Sequence, residues 1–198
     1  YDGGKIFDKL KQKKNGENIF HVKDKKKIWS ITKKYDNATF PNDEKCLGYT
    51  IDVFQESINK NFEEYLVNFD YFTTMMIKYG FALLSKDEAA ELGLPNSIGS
   101  FEELFTQMKT ENDSGRMKRQ YIGSALSMSD EEKDISFLNN YFVFKKIRNV
   151  NVQNVFEIEM AKTEHKDFEG ASKSKDMIRD IMAQRIQRVF IRKFKKKF

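Results

Sequence analysis

Between positions 47 and 84 the chain changes its hydrophobic period twice, and this change constrains the fold more than any other feature. LGYTIDVFQ over 47–55 sets Tyr49, Ile51 and Val53 against Thr50, Asp52 and Phe54, the two-residue alternation of a strand. Over 62–72, FEEYLVNFDYF places Phe62, Tyr65, Leu66, Phe69 and Phe72 at the spacing of an apolar helix face. That spacing predicts a helix from about 63 to 79, stopped at Gly80 by a residue tolerant of left-handed backbone. FALL at 81–84 then reads as a short buried strand. The succession points to the α/β class.

The flanks fit the same class. Ile6, Phe7 and Leu10 suggest a short helix, and 11–18 a polar loop. Two strands are expected near 18–23 and 27–34, the second rich in β-branched and aromatic residues. A helix is expected over 86–92, broken by Leu94-Pro95-Asn96-Ser97. Ser100 with Glu103, and Ser129 with Glu132, have the spacing of capping boxes for helices reaching about 108 and 138. Residues 110–120 read as polar and mobile. Asn139-Asn140 turns the chain into a strand from Tyr141 to about 148. Residues 149–170 read as a linker. From 171 to 198, Met177, Ile178, Ile181, Met182, Ile186, Val189, Phe190 and Phe194 recur at three and four, giving a basic amphipathic helix.

With 198 residues, 39% hydrophobic, 18 Phe and 8 Tyr, the chain has the means for one globular domain with a core. It begins at Tyr1 without Met and reads as a fragment of a longer protein. No apolar run reaches about 18 residues, so no membrane span is expected. The lone Cys46 excludes a disulfide within the chain and suits a reducing compartment. His21 and His165 are isolated, and no Cys/His pair has ligand spacing, so no metal site is expected. No nucleophile motif and no glycine-rich phosphate loop is present. Charge is uneven: 1–34 carry a net +7, 35–170 a net −10 and 171–198 a net +8. Basic ends on an acidic body suggest a polyanion met at the ends.

Glu63 and Glu64 admit two readings. Acids in a first helical turn are favoured by the helix dipole, which is reason enough for them to be there. A carboxylate beside an aromatic strand is also the chemistry needed to read guanine. That base presents two parallel donors, the ring N–H and the exocyclic amine, and one carboxylate accepts both. Aromatic faces then hold the base, with a cation–π contribution if it is methylated and positive.

Three segments carry a resemblance. LGYTIDVFQESINKNFEEYLVNFDYFTTMMIKYGFALL, with Glu64-Tyr65-Leu66-Val67 and Tyr79-Gly80-Phe81, resembles eukaryotic and viral mRNA cap guanine-N7 methyltransferases. MSDEEKDISFLNNYFVFKK resembles that family's final helix and strand, with Ser129, Glu132 or Glu131, and Phe142-Val143-Phe144. YDGGKIFDKL resembles the segment that follows a central strand of its sheet. The style is closest to capping enzymes of large DNA viruses, and the similarity covers about 1–148.

The resemblance implies the C-terminal half of a Rossmann-like class I methyltransferase sheet with antiparallel final strands. Glu64 takes the place of the glutamate that hydrogen-bonds the cap guanine, and Glu63 the place usually held by Pro. The family's cap-stacking Tyr corresponds to Asn139, with Tyr141 as the expected substitute on the same strand face. Leu47 aligns with an aromatic near the cap, with Tyr49 as its substitute. The methyl donor, S-adenosyl-L-methionine, is expected to bind upstream of this chain, in a loop the chain lacks. Guanine N7 attacks the methyl group directly with a free lone pair, so positioning rather than a general base supplies the rate. Implied partners are the capped 5′ end of mRNA, the upstream half of the domain, and other capping-enzyme domains or an activating subunit. The implied location is intracellular: a cytoplasmic viral factory or virion, or the nucleus.

The tail lies outside the resemblance. It packs its apolar stripe on the body, or meets RNA backbone through Arg185, Arg188, Arg192, Lys193 and 195–197, or meets a partner protein or membrane surface. The alternative for the whole chain is a non-catalytic RNA-binding or regulatory module that keeps half the fold, and a third reading is a scaffold protein.

Overall fold

Asp24 and Lys25 both take positive φ, 49° and 65°, and close a tight two-residue hairpin between strands β1 (Asn18–Lys23) and β2 (Lys26–Lys33). The chain then runs antiparallel into β3 (Thr50–Gln55) and β4 (Lys60–Tyr65), giving one four-stranded sheet in the order β1-β2-β3-β4. The computed structural model describes residues 1–116 and 123–164. They divide into two units, Tyr1–Val150 and a second beginning at Asn151.

One face of the sheet is the core. Ile31, Ile51 and Val53 project from it and are buried with Ile6, Phe7 and Leu10 of helix α1 (Gly3–Lys9). Ile135 and Leu138, from α5 (Asp130–Ser136) and the residues after it, close the same cluster. Tyr35, Tyr49, Phe40 and Phe7 stack into an aromatic floor, Tyr35 and Tyr49 with ring centroids 5.0 Å apart. Burial pushes the Tyr35 hydroxyl up to about 12, with help from Tyr49.

The helix expected from 63 starts later. Residues up to Tyr65 belong to β4, and α2 spans Phe69–Lys78. Asn68 caps it, its side-chain oxygen accepting from the amides of Asp70 and Tyr71. Phe62, Glu64 and Leu66 also fit an alternating pattern, and pairing with β3 decided between the two periods. Glu63 and Glu64 are therefore strand residues, and no helix dipole acts on them.

Beyond α2 the chain makes two short antiparallel ladders. β5 (Phe81–Leu83) pairs with β8 (Phe144–Lys146), and β6 (Ile98–Ser100) with β7 (Asn140–Phe142). The expected buried strand at 81–84 is half-exposed in place. The single strand expected from Tyr141 is two, because the chain changes partner at Val143. There the Ser97 hydroxyl donates to the Val143 carbonyl, and the Val143 amide donates to Ser97 oxygen at 2.8 Å. α3 (Lys86–Glu91) and α4 (Phe101–Asp113) lie between β5 and β7 in sequence. Capping boxes start α3 at Ser85–Glu88, α4 at Ser100–Glu103 and α5 at Ser129–Glu132. Gly80, at φ +85°, lets the chain turn against Arg148, whose carbonyl would collide with any Cβ there.

The region expected as a linker holds helix α6 (Val152–Glu164), in the second unit. The Asn151 side chain accepts from the Asn154 amide and starts it. Its apolar residues form no clear stripe, so sequence period did not signal it. The basic helix expected at 171–198 lies outside the described residues. The described protein is thus mixed α/β, with antiparallel ladders and helices. No helix among the described residues is long and apolar enough to cross a membrane.

Candidate functional site

Glu64 stands opposite Ile51 on β3, and Phe62 opposite Val53. Directly opposed residues share a face of an antiparallel sheet, so Glu64 lies on the core-side face. It is half-buried. Tyr1 is close enough that the Glu64 charge contributes to raising its phenol; burial is the larger cause, and a hydrogen bond from Gln55 opposes both. Gln55 Nε2 donates to the Tyr1 hydroxyl at 2.9 Å. Tyr1 thus touches Gln55 and lies within the field of Glu64 at the margin of the core. The Glu64 carboxylate can accept two parallel N–H donors. Tyr1 and Gln55 lie within the segments that carry the resemblance, but nothing in the sequence singled either of them out.

One residue away, three distant parts of the chain meet at Asp2. Asp2 forms a parallel bridge with Val67, and the Gly3 amide donates to the Val67 carbonyl at 2.9 Å. The Asp2 amide donates to Leu138 oxygen at 2.7 Å, and Asn140 Nδ2 donates to Asp2 Oδ2 at 3.0 Å. Asp2 also caps α1, accepting from the Lys5 amide. A Cβ on Gly3 would lie 2.7 Å from Val67 backbone atoms, so glycine is what permits the approach. Asn140 Oδ1 is buried without a partner among the described atoms.

The two aromatic residues expected near the base occupy different surroundings. Tyr49 is 4% exposed, donates its hydroxyl to Thr39 oxygen at 2.9 Å and packs among Phe7, Tyr35 and Phe40. It is a core residue, with burial as the main cause that raises its phenol. Tyr141 lies opposite Gly99 on β6, its ring against that glycine and its hydroxyl accepting from the Asn96 amide at 3.2 Å. Its neighbour Asn140 reaches Asp2, and successive strand residues point to opposite faces, so Tyr141 is turned from that junction. Asn139 donates to the carbonyls of Ile135 and Ser136 and closes α5. Arg185, Arg188, Arg192 and Lys193 lie outside the described residues.

Other chemistry has little to work with. Burial pushes the Cys46 thiol up to about 11, so it is no ready nucleophile. Among the described residues no group of three His, Cys, Asp or Glu is placed to hold a metal ion. The close-approach glycines are taken by the chain itself: Gly3 by Val67 and Phe40, Gly80 by Arg148, Gly99 by Tyr141. No protein-family model matches this chain, and no curated protein matches it at a significant level.

Proposed function

We propose that this chain is the guanine-reading part of an mRNA cap guanine-N7 methyltransferase, within a Rossmann-like sheet whose donor-binding residues lie outside it. One observation carries the reading. The three segments with family resemblance, at 1–10, 47–84 and 128–146, are joined at Asp2 and Gly3 through Val67, which follows β4 three residues after Glu64. Segments far apart in sequence thus meet close along the chain to the carboxylate that the resemblance assigns to guanine. In this role Glu64 accepts from the ring N–H and exocyclic amine and fixes the orientation of the base. Tyr1 supplies an apolar flank. N7 attack needs no proton removed, so the work of these residues is orientation and exclusion of water. Neither Tyr49 nor Tyr141 takes part.

The test is Glu64→Gln in the complete protein, assayed for methyl transfer to capped RNA. Losing a charge-assisted pair of hydrogen bonds should lower kcat/KM by about 10- to 100-fold, from a loss of about 1.5–3 kcal/mol. Thermal unfolding should be unchanged. Full activity in the variant removes Glu64 from the site and the reading with it.

A further inference from the structure

The sheet has a second face that neither the core nor the Glu64 cluster uses. Phe20 on β1 stands opposite Ser30 on β2, and Ser30 opposite Phe54 on β3, so the three form one row across three strands. This row faces away from Ile31 and Val53. Phe20 is 58% exposed and its strand neighbour on that face, Val22, 45%. Ser30 is the small floor between the rings.

The hairpin brings cations to the same face. Between His21 and Val22 the register skips Ile28, which is the extra residue of a bulge on β2. Ile28 and Trp29 therefore both contact the core, and Lys27 turns outward. Lys27 Nζ sits 5.8 Å from the centroid of the Phe54 ring. Lys25, at the hairpin tip, is exposed beside it, whereas Lys26 stands opposite Lys23 on the core-side face. Lys23 is engaged by Glu131 at 3.0 Å. Further along the face, Lys34 pairs with Asp52 at 3.0 Å.

We propose that the outer face of β1–β3 is a binding platform for single-stranded nucleic acid. Phe20 and Phe54 stack on bases, and Lys25 and Lys27 meet the phosphates. The exposed Phe20 ring and the half-buried Phe54 ring, next to exposed lysines, suit this ligand, since every base has a stackable face and every linkage a charge. Protein interfaces are depleted in lysine, which argues against a protein partner here. Glu64 is on the opposite face, so the platform does not rest on cap reading.

The test uses the full chain and a short, uncapped, fluorescent oligouridylate, with binding followed by anisotropy. Phe20→Ala and Phe54→Ala should each weaken binding by about ten-fold. Lys27→Gln should reduce the slope of log affinity against log salt by about one. Glu64→Gln should bind as the parent does. A duplex of the same length should bind less tightly and be indifferent to Phe20→Ala. Circular dichroism checks the fold, and Phe20→Ala decides alone if Phe54→Ala does not fold, since Phe20 lies mostly in solvent. The proposal is overturned if the parent does not bind the oligouridylate, or if both ring variants bind it as tightly as the parent.

Discussion

Within the unit Tyr1–Val150, the four-stranded sheet and the two short ladders are stabilised by different physics. The sheet with α1 and α5 owns nearly all the buried apolar side chains, Ile6, Leu10, Ile31 and Ile51 among them at zero exposure. α2 and α4 bury no residue fully. The ladders instead lean on a surface cluster of Phe69, Phe72, Phe142 and Phe144, packed edge to face, and on polar ties. Phe142 is 50% exposed. The capping boxes of α3 and α4, with Ser97, take the place of a second core. The lesson is that hydrophobic truncation should hurt one region and hydroxyl loss the other.

The largest expected effect is on the sheet. Ile51→Ala removes a fully buried side chain from the centre of the core and should cost about 2–5 kcal/mol in urea unfolding. A loss below about 1 kcal/mol would mean that the sheet does not carry the stability of this unit.

Ser97→Ala should act on the ladders. The Ser97 hydroxyl accepts from the Leu84 amide at 2.9 Å and donates to the Val143 carbonyl. Its removal leaves both groups unpaired where they are partly buried, a cost of about 1–3 kcal/mol. Hydrogen exchange should quicken at Leu84 and Val143 more than at Ile31. Equal acceleration in both regions would show that they unfold as one and that the contrast is only static.

The smallest effect concerns how α5 is tied to the sheet. The Trp29 indole donates to the Glu131 carbonyl at 3.0 Å, and Lys23 to the Glu131 carboxylate. Hydrogen bonds from its own backbone amide, then the Ser129 hydroxyl and Lys23, hold the Glu131 carboxyl down to about 2 from its ordinary 4.5. A carboxyl lower in the folded state binds fewer protons there than when unfolded. Its contribution is therefore present above pH 4.5 and is lost as pH falls from there through about 2. Glu131→Gln should flatten the acid side of the stability profile slightly and leave its neutral side nearly unchanged. A variant profile parallel to the parent's between those values would remove this tie.

Several elements were legible from local chemistry. The capping serines Ser100 and Ser129 mark helix starts because their side chains bond amides three residues on, within the same short segment. The strands at 18–23 and 27–34 were legible from β-branched and aromatic content. What misled was the segment around Glu64, where the apolar residues follow a helical period and only pairing with β3 makes it a strand. Tyr49 misled for another reason, since an aromatic on a strand is equally suited to a core and to a binding face. α6 was missed because its apolar residues lack the stripe that marks a packed helix.

The amino-acid order alone determined the α/β class, the capped helix starts and the uneven charge, because each follows from contacts a few residues apart or from composition. Tertiary structure decided the face of Glu64, the meeting at Asp2, the burial of Tyr49 and the outward turn of Lys27. Those depend on strand register, and register is set by which distant residues pair, information that no local pattern contains.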